Sequence, residues 1–502
     1  MKLEEVRELL NVIEDKILFD SYFVGGCVRD EFLNREPNDF DLVVNKQNGA
    51  SILSFLIKKH FGNKVSYPVK MKKYPIYSLT FKGDVKVGDK FYNTKDVTLE
   101  ISDTMTESYP NKNSRQRKVV YANLKEDKER RDFSINSGYM NIKSGKCLDY
   151  DFLCDIKKGV IKCNEGVDYD KIFFEDPLRI LRGLVFSVRF GFEIEEKTKD
   201  SMKRQSNRLE CISRERMNKE VEKAFNVENG AYQLIKKMSE MDILKYVFPD
   251  IERQKKVYQW VNIDGKYYSD SRGIHLEGET VYDHTLFTLK HIEKGWENGI
   301  CALFHDIGKT NYTRKQLPNE TVSFAGHDAF GLNGLENRLK KKYKFSNDLV
   351  NKILFVCKNH MRIYHLQEAS DKTLRRFIRE IKDNDLDLLF RVCDADTKGT
   401  EKSEDAKFSK LNYSLVERIN NLKNEKEETQ EKNILTGDDI MEIFSIPSGK
   451  KVGELLRIVT DLQDEYGNSL TKEFAIEELK KRYKENQDEI ESIRNTSVGE
   501  TI

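Results

Sequence analysis

Two aspartates one residue apart, Asp39 and Asp41, interrupt the apolar run DFDLVV. A strand repeats every two residues, so both carboxylates share one face while Phe40, Leu42 and Val44 share the other. Carboxylates this close repel, which raises the proton affinity of at least one unless a cation lies between them. Mg²⁺ suits that position, because it takes one or two carboxylates together with substrate phosphates. Just upstream, VGGCVRD supplies Gly25 and Gly26, where backbone amides can approach a phosphate with no Cβ in the way, and Arg29, a planar donor fork. The combination fits a triphosphate held with its metal for two-metal nucleotidyl transfer. Such chemistry calls for a third carboxylate, and Glu100 in the strand-like run VTLEIS is the candidate. An isolated D-x-D is a weak signal; the glycine pair and Arg29 at this distance make it specific.

A second constellation lies far downstream. The chain has only eight histidines, and four fall in an ordered series with carboxylates: His284, His305 with Asp306 beside it, His327, His360, then Asp396 in CDADTKG, with Asp394 as its substitute. Imidazoles and carboxylates on successive helices suit a bundle-core metal site of a phosphohydrolase, and the imidazole content favours Ni²⁺, Co²⁺ or Mn²⁺ over Mg²⁺. His275, His291 and His365 take no role in this reading.

The elements that must position these residues follow from pattern. At 502 residues the chain exceeds one ordinary core, and the length prior is roughly three domains. Lys plus Arg (86) nearly equals Asp plus Glu (85), so net charge does not decide for or against nucleic acid. The first 150 residues alternate strand-like runs (Tyr22–Val24, Asp39–Val44, Ile76–Phe81, Val97–Ile101) with helical stretches and turns. Beyond Phe173 the periodicity is helical. The expected class is α+β: a small mixed head (1–150), a helical region (151–257), a helical metal domain (275–400) and a helical tail (434–502). A junction near 258–280 and a charged stretch from Asn420 to Asn433, a solvated linker or exposed helix, separate the parts. Eight cysteines without a C-x-x-C pair read as reduced thiols. The charged N-terminus lacks the apolar block of a leader, and no apolar run reaches the ~18 residues of a span. A cytoplasmic protein with no membrane partner is expected.

The opening motif resembles motif A of the class II tRNA nucleotidyltransferases, the CCA-adding enzymes, whose heads have the polymerase-β-like nucleotidyltransferase fold. Further matches follow in order: RRDFSIN (Arg130–Asn136), EDPLRILRGLVFSVRFGF (Glu175–Phe192), ISRERMNKEVEKAF (Ile212–Phe225), an HD-type metal region and the tail LTGDDIMEIFSIPSGKKVGELL. The resemblance implies that Arg131 contacts nucleotide and that Asp176 and Arg179 act as a protein template, with Arg182 one helical turn further on. Asp176 and Arg179, three apart, would share a helix face. A carboxylate only accepts and a guanidinium only donates, which matches the amino donor and ring-nitrogen acceptor common to cytosine and adenine and mismatches guanine and uracil. The substrates implied are CTP, ATP and the 3′ end of tRNA, with the helical region and the tail holding the acceptor end. The HD set resembles the HD domains of multifunctional CCA-adding enzymes, linked to phosphodiesterase, nucleotidase and phosphatase activities on RNA ends or nucleotides. Two departures stand out: Val185 replaces a common family arginine, and the segment Glu107–Glu129 matches the family's flexible loop only loosely. A poly(A) polymerase-like enzyme, an enzyme adding only part of CCA, or an HD phosphohydrolase of RNA repair are the alternatives.

Overall fold

A computed structural model describes residues 1–13, 16, 19–37, 39–71, 74–108, 118–258, 260–263, 266–269, 279–311, 315–316, 322–324, 326–381, 386–401, 407–428 and 434–497. Contacts divide the chain into two compact units: Met1–Glu252 with Lys294–Trp296 and Lys342–Lys344, and the remainder from Arg253 onward. The boundary between them at residues 252 and 253 falls just inside the 151–257 region drawn from sequence.

The first unit carries a six-stranded sheet ordered Tyr139–Asn141, Ser21–Val24, Phe40–Val44, Thr98–Asp103, Ile76–Thr80, Val69–Lys70. All neighbours are antiparallel except the central pair, Phe40–Val44 beside Thr98–Asp103, which is parallel with Asp41 opposite Glu100. A parallel pair needs a crossover, and here it includes the helix Gly49–Phe61. The start of that helix is tied to the end of the partner strand: Asn48 N and Ala50 N each donate to the buried Asp103 carboxylate at 2.7 Å. An anion at a helix N-terminus is favoured by the helix dipole as well as by these bonds. Within Phe40–Val44, Phe40 and Leu42 are buried on one side, and Val43 packs with Tyr22, Val24 and Tyr139 on the other.

The sheet is followed by helices, among them Tyr169–Glu175, Leu178–Phe190, Arg214–Phe225 and Gly230–Glu240. Leu178–Phe190 is the most enclosed: Leu178, Leu181 and Val185 are all buried. Gly191 ends it at φ +70°, a conformation that glycine adopts without a Cβ penalty.

The second unit is mainly helical. Val281–His291, Asn347–His365 and Leu386–Glu401 bear residues of the histidine series, and Trp296–Phe304 leads directly into His305. In the expected junction, Trp260–Ile263 pairs with Lys266–Ser269 as a hairpin; residues 270–278, including His275, lie outside the described residues. The charged stretch after Asn420 continues the helix Lys407–Glu428 as far as Glu428. Beyond it, the tail packs a core of its own around Leu435, Ile440, Leu455, Val459, Leu462 and Leu479. Arg379 bonds Asp464 at 2.7 Å, linking the helix Asp371–Glu380 to that tail. All eight cysteines are free thiols. No helix among the described residues is long and apolar enough to cross a membrane.

Candidate active site and metal centre

Asp41 projects from the central strand, opposite Glu100 across the parallel ladder, while Asp39 stands exposed just before the strand begins. Burial pushes the Asp41 carboxyl up to about 6; Glu100 and Asp39 add to this, and Arg131 opposes it. The carboxylate conflict read from D-x-D is therefore present, and Glu100 is part of it. Gly25 closes over this spot. Its φ is +72°, and a Cβ there would stand 3.3 Å from Asp41 Oδ2 and 3.9 Å from Arg131 Nη1. Gly26 then opens the helix Gly26–Phe32. The Cys27 thiol, pushed up to about 12 by burial and by Asp41, takes no part as a nucleophile.

Arg29 departs from expectation. It is buried, bonded to Asp30 at 2.8 Å and to Asn136 Oδ1 at 2.7 Å, and its guanidinium lies 4.6 Å from the Phe190 ring centre. An arginine engaged on three sides is not an open phosphate fork; its evident work is joining the glycine helix to Asn136 and to the helix Leu178–Phe190.

Arg131 does face the carboxylates. Its Nε and Nη2 donate to Asp127 Oδ2 at 3.1 and 2.9 Å, and Nε also donates to Tyr139 Oη at 3.1 Å. Its Nη1 is the nitrogen nearest Gly25.

The expected template pair needs a correction. Asp176 does not share a helix face with Arg179. It sits between two helices with φ −134° and ψ 91°, followed by Pro177 and then the helix Leu178–Phe190. Proline disfavours helical backbone in the residue before it, so the helix cannot begin until Asp176 is passed. The Asp176 carboxylate accepts from Leu178 N at 3.3 Å and stands 3.8 Å from Arg216 Nη2. Arg179, buried in the first helical turn, donates to the carbonyls of Ile172 (3.2 Å) and Arg130 (2.8 Å). Arg182 donates to Asp132 Oδ2 at 2.7 Å. Burial alone would raise Asp132; Arg182, Asn136 and Arg179 bring it down to about 2. Val185 is fully buried, so no polar contact replaces the family arginine at that position. Of the loosely matched segment Glu107–Glu129, residues 109–117 lie outside the described residues.

In the second unit the whole histidine series converges. His284, His305, Asp306, His327, His360 and Asp396 are all buried. His284 Nε2 and His305 Nε2 approach to 3.3 Å and stand 3.4 and 3.3 Å from Asp306 Oδ2. His327 Nε2 and His360 Nε2 likewise approach to 3.3 Å and stand 3.2 and 3.5 Å from the other oxygen, Oδ1. Asp396 Oδ1 completes the first group, 2.8 Å from His284 and 3.5 Å from His305. Asp394 instead pairs with Lys398 at 2.7 Å on the same helix, which decides between the two aspartates. The ring nitrogens are oriented by the backbone. Nδ1 of His305, His327 and His360 meets the carbonyls of Ala302 (2.7 Å), Phe324 (2.9 Å) and Cys357 (2.9 Å). A carbonyl accepts only from a protonated Nδ1, so in the neutral imidazole Nε2 is the nitrogen free to act as a ligand. The donor set thus fits divalent transition metal, in two triads that share Asp306. Among the described residues only these triads bring three ligand atoms within 4.8 Å; the head carboxylates are set wider. His291 and His365 end their helices outside the cluster.

The residues that sequence reading missed are Asp127, Asn136, Tyr139 and Arg216. Asp127 lies four residues before Arg131, a helical pairing interval that was readable. The others have their positions only through tertiary contact.

Comparison with known proteins adds the lineage. Residues 21–162 match the family described as the poly A polymerase head domain, and residues 191–255 match one described as a probable RNA and SrmB-binding site of polymerase A. The mixed head is therefore similar to the poly A polymerase head domain, and a helical body follows it. Among curated proteins and solved structures, the chain is similar to CCA-adding enzymes. The CCA-adding enzyme of Limosilactobacillus fermentum is 32% identical over 46% of this chain and 52% of its own length. A multifunctional CCA protein of Neisseria gonorrhoeae is 26% identical over 76% of this chain and 84% of its own length. The CCA-adding enzyme of Bacillus stearothermophilus, solved in complex with CTP, has the same fold at a TM-score of 0.64 and 17% identity, over 97% of this chain and 100% of its own. The chain spans about half the length of the curated relatives it matches above 30% identity.

Proposed function

We propose that this protein adds CCA, or part of it, to the 3′ end of tRNA from CTP and ATP without a nucleic-acid template. The observation that carries the reading is the alignment of Asp41 with Glu100 on neighbouring parallel strands beneath a glycine turn and Arg131. Asp39, Asp41 and Glu100 would hold Mg²⁺, which supplies charge neutralisation for the triphosphate and activation of the attacking 3′ hydroxyl. Gly25 and Gly26 admit the phosphates close to the backbone, and Arg131 Nη1, beside Gly25, meets them there. Asp176 accepts from the exocyclic amine of cytosine or adenine. Arg179 keeps donors beyond the two given to carbonyls and meets the ring acceptor; guanine and uracil leave both groups mismatched. The helical region and the tail hold the acceptor end through backbone contacts, in a reducing cytoplasm that suits eight free thiols.

The decisive assay offers each labelled NTP alone to tRNA ending before CCA, before CA and before A. Incorporation of C, C and A in turn supports the reading. A adding repeatedly without C points to a poly(A) polymerase-like enzyme, and a single positive step to a partial one.

The second unit supports a metal-dependent phosphohydrolase acting on RNA ends or nucleotides. The convergent triads around Asp306 carry this second reading. His284, His305 and Asp396 with Asp306 Oδ2 would hold one cation, and His327 and His360 with Oδ1 another. Such cations activate water and neutralise phosphate. Lys309 Nζ, 2.6 Å from Asp306 Oδ2, steadies the shared carboxylate.

A further inference from the structure

Asp127 makes no contact with either set of proposed metal ligands, yet it is the most heavily engaged carboxylate in the first unit. It is fully buried. Oδ2 accepts from Arg131 Nη2 at 2.9 Å and from Tyr139 Oη at 2.7 Å. Oδ1 accepts from Arg130 Nη2 at 2.8 Å and from Met105 N at 3.1 Å. The two arginines are adjacent in sequence but serve different ends of a nucleotide. Arg131 turns its remaining nitrogen toward Gly25 and Asp41, where phosphates would lie. Arg130 turns its carbonyl to Arg179, accepting from Nη2 at 2.8 Å, where the base would lie.

We infer that Asp127 is a positioning residue that couples triphosphate binding to base choice. One buried anion fixes both guanidinium groups, so the direction of Arg131 and the location of the carbonyl that anchors Arg179 are set together. Charge-assisted bonds in a buried site are short and directional. A neutral amide at this position can accept on one side only and must present an N–H to one of the two arginines, which loosens one arm or the other. Arg130 is held from two further directions, by Nη1 to Glu107 at 3.0 Å and Nε to the Met105 carbonyl at 2.8 Å. Its own side chain is therefore part of the frame and does not reach nucleotide.

This inference rests on the nucleotidyltransferase reading above, and its test is arranged to separate the two. Wild-type protein is first shown to bind Mg-CTP and to add C and A; failure there overturns the reading of function and leaves the geometry untouched. Asp127→Asn and Arg130→Lys are then compared with wild type by thermal melt, by Kd for Mg-CTP, Mg-ATP and Mg-UTP, and by incorporation kinetics. Asp127→Asn should raise the KM and Kd for CTP and ATP ~10-fold or more, the loss expected for a charged hydrogen bond, and narrow the preference for CTP over UTP. The KM for tRNA should stay unchanged. Arg130→Lys keeps the charge but loses the fork, so it should narrow the CTP-to-UTP preference with a smaller rise in CTP KM. Should Asp127→Asn fail to fold, the Arg130→Lys arm still decides. Uniform loss of kcat with unaltered nucleotide preference in the folded variants would overturn the coupling, as would unchanged nucleotide KM in Asp127→Asn.

Discussion

Asp41 and Glu100 face each other across the one parallel ladder of the head sheet. A residue next to either on its own strand points to the opposite face and cannot take its place.

Asp41→Asn should abolish incorporation, by at least ~100-fold, since a lost metal ligand removes several kcal/mol of transition-state stabilisation. The same variant removes a buried like-charge conflict, so its melting temperature at pH 7 should equal or exceed that of wild type. Activity near the wild-type level in the folded variant would remove the two-metal assignment.

Base choice should respond to Asp176→Ala and Arg179→Ala by admitting UTP and GTP as well as by slowing C and A addition. Arg216→Ala should show the same relaxation in weaker form, because Arg216 stands 3.8 Å from Asp176 in a partly exposed pair. A uniform drop for all four nucleotides would make these residues structural.

Acid should reach the first unit through Asp127. Burial would raise its carboxyl, but Arg131, Arg130, Tyr139 and the Met105 amide hold it at about 2, below the ordinary 3.8. A depressed folded value means stability that is complete above about pH 4 and lost as pH falls toward 2. The pair of values corresponds to about 2 kcal/mol. The stability gap between wild type and Asp127→Asn, read by urea melts, should therefore shrink by about that much between pH 7 and pH 2. A constant gap would show that the carboxylate titrates alike in folded and unfolded chains.

For the second unit, His305→Ala combined with Asp306→Ala should remove phosphohydrolase activity while leaving CTP and ATP incorporation largely intact. Metal analysis gives a readout apart from activity. Two equivalents of Ni²⁺, Co²⁺ or Mn²⁺ per chain are expected in wild type, one in His327→Ala/His360→Ala, and none in Asp306→Ala. One equivalent in wild type would show that the triads act as a single site.

The tail should report on RNA. Truncation at residue 434 should raise the tRNA KM more than the nucleotide KM, and tRNA binding by the full chain should weaken steeply with salt. An unchanged tRNA KM would make the tail an assembly or stability element.

What could be read from the sequence divides along physical lines. The strand position of Asp41 and the convergence of the histidine series were legible because strand period and rare residue types mark them without any tertiary knowledge, whereas Asp39 falls just before the strand. The choice of Asp396 over Asp394 needed only helical phase, since Lys398 lies one turn beyond Asp394 and pairs with it. The face shared by Asp176 and Arg179 was misjudged because Pro177 intervenes and moves the helix start. Arg29 was misjudged for a different reason: its partner Asn136 is 107 residues away, and nothing local announces it. Arg216 looks like ordinary surface charge in a chain where 34% of residues are charged, and Asp127, though its four-residue interval to Arg131 was readable, gave no sign of its burial. Only packing distinguishes them.

The parallel pairing of Phe40–Val44 with Thr98–Asp103 also sets an order of events when the chain folds from the denatured state. Hairpin contacts such as Ile76–Thr80 with Thr98–Asp103 close short loops, whereas joining Asp41 to Glu100 closes a long one through a helical crossover. Loop-closure entropy is surrendered before such a contact returns anything, so non-local pairing of this kind is slow. Here the contact also brings like charges together. The acidic pair is consequently among the latest features to assemble, and regain of nucleotide incorporation should trail regain of sheet signal in a refolding experiment, making catalysis a clock for completion of the head.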